Sequence, residues 1–371
     1  MESVPYVRAT GSPFEVGAQH GAARAAALRA FLDDGLARIT RLAPAPVSAP
    51  ALLSGLTEYG QAIAAATPRL SEEIDGLAHG AGITREEAVL LQVRRELIGY
   101  QRVPAGGDCT TYASLTAGPG GGPVLAQTVD LNGNLDDQIA VLDIGLREKV
   151  LPRGDDPPIP PEPQGGGKRR ALVLSFGGLL GYLGVNSDGL AVGLNLVLGG
   201  DWHPGLPPYL AIRHLLDRAG SVAEALAILP GLPLASSRSL TLCDQESMAC
   251  AEIVDNELRL VDPGGHTNHL LHPDLAGRDA LNVFARNSSR QRLAACREGL
   301  AALGAGGGDV EQHFALLARP PICVADTGDI RRERTVAAVV LLPDRGELHL
   351  RPGDPSGSTT QSFGLDLAVR Q

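Results

Sequence analysis

Gly106-Gly107-Asp108-Cys109-Thr110-Thr111-Tyr112-Ala113 is the stretch on which the reading of this chain turns. Before it, apolar residues recur at helical spacing; after it, they alternate or cluster in short runs. Two glycines, an acid and a small nucleophile leading into an extended run can expose the Asp108–Cys109 peptide bond to attack by the cysteine's own thiol. Scission there makes Cys109 a new chain terminus. Its α-amine then lies beside its own sulfur, so nucleophile and base share one residue. A free thiol titrates at about 8.5 and an α-amine at about 7.7–8.0, so a proton passes between them near neutral pH. The competing reading is a buried structural cysteine, the usual fate of this residue type.

Upstream of Cys109 the pattern predicts helices at Phe14–Thr40, Ala51–Ala66, Ser71–Ala81 and Thr84–Tyr100. Ser12-Pro13 followed by Glu15, and Thr84 followed by Glu87, read as capped helix starts. Downstream, strands are expected at Thr110–Leu115, Val124–Thr128, Ile139–Ile144, Ala171–Phe176, Leu190–Val197, Leu240–Cys243, Ala249–Val254, Leu258–Val261, Thr335–Leu342 and Leu348–Arg351. Turns such as Asn186-Ser187-Asp188-Gly189 favour antiparallel pairing. Helices return at Pro207–Ala219, Ser221–Leu229, Ser288–Leu303 and Val310–Leu317. The Pro- and Gly-rich run 152–167 reads as a flexible surface loop. Helices flanking antiparallel sheets make a layered α+β domain, one unit over 1–371.

Composition narrows the function. A net charge of −10 with 4% aromatics and no long basic run argues against nucleic acid. No apolar run suits a membrane span, and Met1-Glu2-Ser3-Val4-Pro5 lacks the features of a signal peptide. The five cysteines are odd in number and scattered, which fits a reducing cytoplasm. No His/Cys spacing points to a metal, and no cofactor is implied.

Several motifs, in order along nearly the whole chain, resemble the isopenicillin N acyltransferase family (peptidase C45 type) of the N-terminal nucleophile (Ntn) hydrolases. They are the run around Cys109; the opening Ser12-Pro13-Phe14-Glu15-Val16-Gly17-Ala18-Gln19-His20-Gly21; Arg95-Glu96 before the cut; the hairpin from Gly184 to Asn195; Thr267-Asn268-His269; Ser288-Ser289-Arg290; and Glu333-Arg334-Thr335-Val336. The resemblance implies a four-layer αββα sandwich of two antiparallel sheets flanked by helices. It also implies self-processing into an α chain, 1–108, and a β chain, 109–371, which stay together as a heterodimer, with a further homo-oligomer left open. Two departures are Asp108, where the family's cleavage site has glycine, and the 152–167 insert.

The resemblance also implies site residues. Asp130, in Gln127-Thr128-Val129-Asp130, returns along a hairpin to the start of the first strand and orients the new α-amine. Asn268 and Asn195 are candidate oxyanion and pocket amides. Arg290 is the candidate guanidinium beside the nucleophile, lowering the thiol pKa and pairing with Asp130. Ser237 (or Ser236), Tyr182 and Thr110 are candidate substrate contacts, with Leu179, Leu180 and Tyr182 lining a partly apolar pocket. His266 and His269 read as supports for the Asn268 loop. The expected reaction is attack on the amide or thioester of a small N-acyl or aminoacyl compound or specialised peptide, through a Cys109 thioester. The alternatives are a CoA-dependent N-acyltransferase, a Cys–His peptidase without self-cleavage, and a non-catalytic binding protein.

Overall fold

A computed structural model describes residues 3–43, 48–99, 109–116, 121–146, 169–304 and 306–365. Asp108, the bond before Cys109 and the 152–167 loop lie outside the described residues. In chain order the elements are β1 (Tyr6–Gly11), α1 (Pro13–Asp33), α2 (Gly35–Leu42), α3 (Ala49–Ala66), α4 (Pro68–Ala81), α5 (Arg85–Ile98), β2 (Thr111–Leu115), β3 (Pro123–Leu131), β4 (Ile139–Leu146), β5 (Arg170–Phe176), β6 (Leu183–Asn186) and β7 (Ala191–Leu196). They continue with α6 (Pro208–Arg218), α7 (Val222–Ile228), β8 (Arg238–Cys243), β9 (Met248–Val254), β10 (Glu257–Val261), α8 (Pro273–Ala276), α9 (Val283–Leu303), α10 (Val310–Leu317), β11 (Arg334–Leu342), β12 (Glu347–Pro352) and β13 (Gln361–Gly364).

Eight strands form one sheet in the order β1-β4-β5-β6-β7-β8-β9-β10, and five form the other in the order β13-β12-β11-β3-β2. The sheets pack face to face, with α1 and α6 against the outer face of the first and α10 against the second. This is the layered αββα arrangement. The pairing departs from the expected purely antiparallel sheets: β1 runs parallel to β4. That strand was not anticipated, because only three of its six residues are buried.

Strand β11 shows why two sheets form. Ala337, Val339 and Leu341 join the core between the sheets, while Ala338, Val340 and Leu342 pack with Phe314 and Leu317 of α10. A strand buried on both faces needs apolar residues at every position, and β11 has them. The sheets approach closely at Gly193, where an added Cβ would sit 2.8 Å from both Gln127 and Leu125.

The helical half is assembled by close backbone contact. A Cβ at Gly17 of α1 would lie 1.9 Å from the Glu73 carbonyl, and one at Gly76 of α4 would lie 2.1 Å from the Phe14 carbonyl. Both caps foreseen in the sequence form: Ser12 with Glu15, and Thr84 with Glu87. The expected single helix over Phe14–Thr40 breaks instead at Gly35, after which Leu36, Ala37 and Arg38 adopt positive φ. The buried Arg38 guanidinium holds that kink by donating to the Gly133 and Asn134 carbonyls and to Asp137. These partners are distant in sequence, so local periodicity could not reveal the break.

Candidate active site at Cys109

Cys109 stands immediately before β2, and β2 pairs antiparallel with β3, Thr111 opposite Gln127. The pairing continues past the strand end, with the Thr128 amide donating to the Thr110 carbonyl. Asp130 is thereby carried to the cysteine. Its backbone N–H donates to Sγ at 3.4 Å, and the thiol donates to its carbonyl at 3.7 Å. The Asp130 carboxylate accepts from the Thr335 hydroxyl at 2.6 Å and the Thr128 hydroxyl at 3.1 Å.

The Cys109 carbonyl is fixed by two side chains from different layers. Asn195, near the end of β7, donates through Nδ2 at 2.9 Å, and Arg292 of α9 donates at 2.9 Å. Arg292 also reaches the Thr110 hydroxyl at 3.3 Å and Asn268 Oδ1 at 2.8 Å. Here the expectation for Arg290 is corrected. Arg290 is exposed on α9, whereas Arg292 is buried. In a helix, residues three and four apart share a face, so Ala285, Ser289, Arg292 and Cys296 turn inward together and residue 290 turns away. That spacing was visible in the sequence and is the signal that would have found Arg292.

Asn268 is buried, but its Nδ2 donates to the Leu196 carbonyl, so it meets Cys109 only through Arg292. Ser289 supports this loop by accepting from the amides of Asn268 and His269. His266 pairs with Glu252 at 2.8 Å, and its backbone bridges Thr111. Both histidines therefore brace the 266–269 segment. No described histidine lines the cavity at Cys109.

That cavity is bounded by Phe31, Leu91, Phe176, Leu179, Leu194 and Leu196 on its apolar side. Gln92, Arg94, Arg95, Cys109, Asp130, Tyr182, Tyr209, Arg238 and Glu333 make the polar side. Of the expected substrate contacts, Tyr182 and Leu179 are there; Leu180 is core, and Thr110 faces Arg292. Ser237 is turned to the Val197 carbonyl and the Trp202 indole, while Ser236 donates to Glu96. Tyr182 stacks on Tyr209, with ring centres 5.3 Å apart. Sequence reading missed Arg94, Arg238 and Glu333 as cavity residues, since they come from α5, β8 and the approach to β11.

Burial pushes the Cys109 thiol up to about 12, aided by the negative charge of Asp130. The Asp130 N–H, the Arg292 charge and a hydrogen bond from Tyr182 oppose that rise without overcoming it. In the continuous chain, Cys109 is therefore held as a neutral thiol.

Residues 161–355 match the family described as acyl-coenzyme A:6-aminopenicillanic acid acyl-transferase, more than half of the chain. The chain belongs to that family. Its matched part begins after Cys109, so the role of that residue rests on its own geometry. The acyl-coenzyme A:6-aminopenicillanic-acid-acyltransferase 40 kDa form of Emericella nidulans is 28% identical over 298 residues, spanning 77% of this chain and 74% of that protein. Among solved structures, penicillin V acylase from Agrobacterium tumefaciens is similar with a TM-score of 0.47 at 16% identity, over 71% of this chain and 89% of that one. A mutant conjugated bile acid hydrolase from Clostridium perfringens gives 0.48 at 12% identity, over 71% and 99%. At that level of likeness the layered fold rests on the sheets described above. The family is one of enzymes, and these relatives are named as an acyltransferase, an acylase and a hydrolase.

Proposed function

We propose that this protein is a self-processing N-terminal cysteine amidohydrolase or acyltransferase acting on small acyl amides. The observation that carries the reading is the position of Cys109. Its sulfur faces a partly apolar cavity, while its carbonyl is pinned by Asn195 and Arg292 and its thiol is cradled by the Asp130 backbone.

In the processing step, the thiol attacks the Asp108 carbonyl carbon and the peptide nitrogen leaves as the Cys109 α-amine, giving a thioester. Water then hydrolyses that thioester, leaving an Asp108 carboxylate and a free Cys109. In turnover, the α-amine takes the thiol proton, Sγ attacks the substrate carbonyl, and the leaving amine is protonated. Water, or an acceptor amine, releases the acyl group. Two hydroxyls hold the Asp130 carboxylate, and in this reading it orients the new ammonium. Asn195 gives one amide hydrogen to the Cys109 carbonyl and keeps a second for an oxyanion.

Chains 1–108 and 109–371 stay joined through buried ion pairs across the cut, Glu73–Arg213 and Glu96–Arg238. All five cysteines are unpaired, which suits a reducing cytoplasm. Among the described residues, no helix is long and apolar enough to cross a membrane.

Mass spectrometry of the purified protein tests this. The expected result is two chains, the larger beginning at Cys109, and a Cys109→Ala protein that stays whole. A wild-type protein that turns over acyl amides while intact would overturn it. Transfer from acyl-coenzyme A is the second reading, favoured by the family's description. Product that forms only when an acceptor amine is supplied would select it over hydrolysis.

A further inference from the structure

Two arginines in the cavity wall are left unfinished. Arg94 donates from Nε to the Ala37 carbonyl at 2.6 Å and lies over the Phe31 ring, yet its Nη2 is buried without an acceptor among the described residues. Arg95 Nη2 is buried in the same condition. Gly133 leaves the space beside Arg94 Nη2 open, since a Cβ there would come within 2.7 Å of that nitrogen. A desolvated guanidinium N–H without an acceptor is costly, by about 1–3 kcal/mol per group and more when charged. Folded proteins tolerate such a cost where a ligand removes it.

The other charges around the cavity are already engaged. Arg238 faces Glu96 at 3.5 Å and stacks on Tyr209 and Trp202. Asp130 is capped by the Thr128 and Thr335 hydroxyls, and Glu333 also has a partner. Burial, with Arg95 and Arg38 nearby, lowers Arg94 to about 10, which leaves it charged at neutral pH.

We propose that Arg94 and Arg95 form an anion subsite beside Cys109, and that the substrate carries a carboxylate which these guanidiniums bind. A carboxylate is the compact anion that matches a guanidinium fork within an otherwise apolar wall. This deepens the functional reading above, because it takes Cys109 as the reacting group.

The test needs no known substrate. Cys109 is alkylated with iodoacetate and with iodoacetamide, its modification is followed by peptide mass spectrometry, and the rate ratio is compared with that of glutathione. The expected result is a ratio favouring the anionic reagent about tenfold over glutathione, as two nearby charges of opposite sign would give. Arg94→Gln and Arg95→Gln should each lower that preference, and the double variant should remove it. Arg95→Lys should keep part of it, and thermal unfolding of each variant verifies the fold. Glutarate should slow the iodoacetate reaction, and adenosine 3′,5′-bisphosphate should not. A ratio equal to that of glutathione, a thiol closed to both reagents, or protection by the nucleotide alone would each overturn the proposal. An active protein without anionic preference refutes only the subsite. A preference in a protein that neither cuts itself nor turns over acyl amides refutes only the enzyme reading.

Discussion

Arg213 and Arg95 are both arginines set beside the seam between the helical half and the sheets, and they are treated in opposite ways. Arg213 of α6 is completely enclosed and fully occupied. It makes two bonds to Glu73 of α4, one to Asp217 and one to the Leu180 carbonyl. Arg95 of α5 has a buried nitrogen with no acceptor among the described residues. The first is a finished polar cluster that fastens α4 to α6. The second belongs to a cavity wall. Polar groups that are satisfied within the fold mark structure, and those left open beside a nucleophile mark a site.

The sharpest way to break this contrast is Glu73→Ala. It strands the Arg213 charge in the interior, and denaturant unfolding should show a loss of about 3–5 kcal/mol. A loss under about 1 kcal/mol, the scale of an exposed pair, would mean that the cluster is not structural. Next comes Arg292→Ala, which releases the Cys109 carbonyl, the Thr110 hydroxyl and Asn268 together. Scission at Cys109 should slow by about 10²-fold, the effect of about an ångström of misplacement at a reacting group. Arg290→Ala, on the exposed face, should leave the rate within about twofold. Equal effects of the two substitutions would show that the inward face of α9 has been misassigned.

A third measurement concerns pH. With the thiol near 12 in the continuous chain, alkylation of Cys109 in the uncut fraction of the protein should rise about tenfold per pH unit through about pH 8–10. A plateau near about pH 8.5 would indicate an ordinary exposed cysteine.

Acid should act through the histidines. His20 is held down to about 3, and His269 and His313 to about 4, each mainly by burial. The unfolded chain, titrating near 6.5, then takes up more protons than the fold between pH 6.5 and 4. Stability must therefore fall across that window on acidification, and melting temperatures should record it. A melting temperature constant over that range would contradict the burial of these rings.

The smallest effect is the most discriminating. Arg95→Met should leave stability unchanged within about 0.5 kcal/mol or raise it, because it removes an uncompensated charge rather than a partner. Should it destabilise as much as Glu73→Ala, Arg95 would be structural and the contrast would vanish.

Much of the fold was legible because its signals are local. The capped starts at Ser12 and Thr84 and the doubly apolar run of β11 are written in neighbouring residues. Strands β1 and β13 were not. They are short or half exposed, and pairing to distant strands stabilises them rather than pattern. Within the site, Cys109 stood out by its glycines and Asp130 by its place on the returning strand of a hairpin. Arg290 matches a motif by position, but the helical face that turns inward carries Arg292.

By itself the sequence determined the change from helix to strand at Cys109 and the identity of the chemical groups, since side-chain period and residue type are properties of the chain. Only the tertiary structure decided which groups meet. Asn195, Arg292 and Asp130 reach one cysteine from three separate elements, and α5 contributes two arginines to the wall of its cavity. Those meetings depend on how the sheets stack and how closely α1 and α4 cross, and no local pattern encodes either.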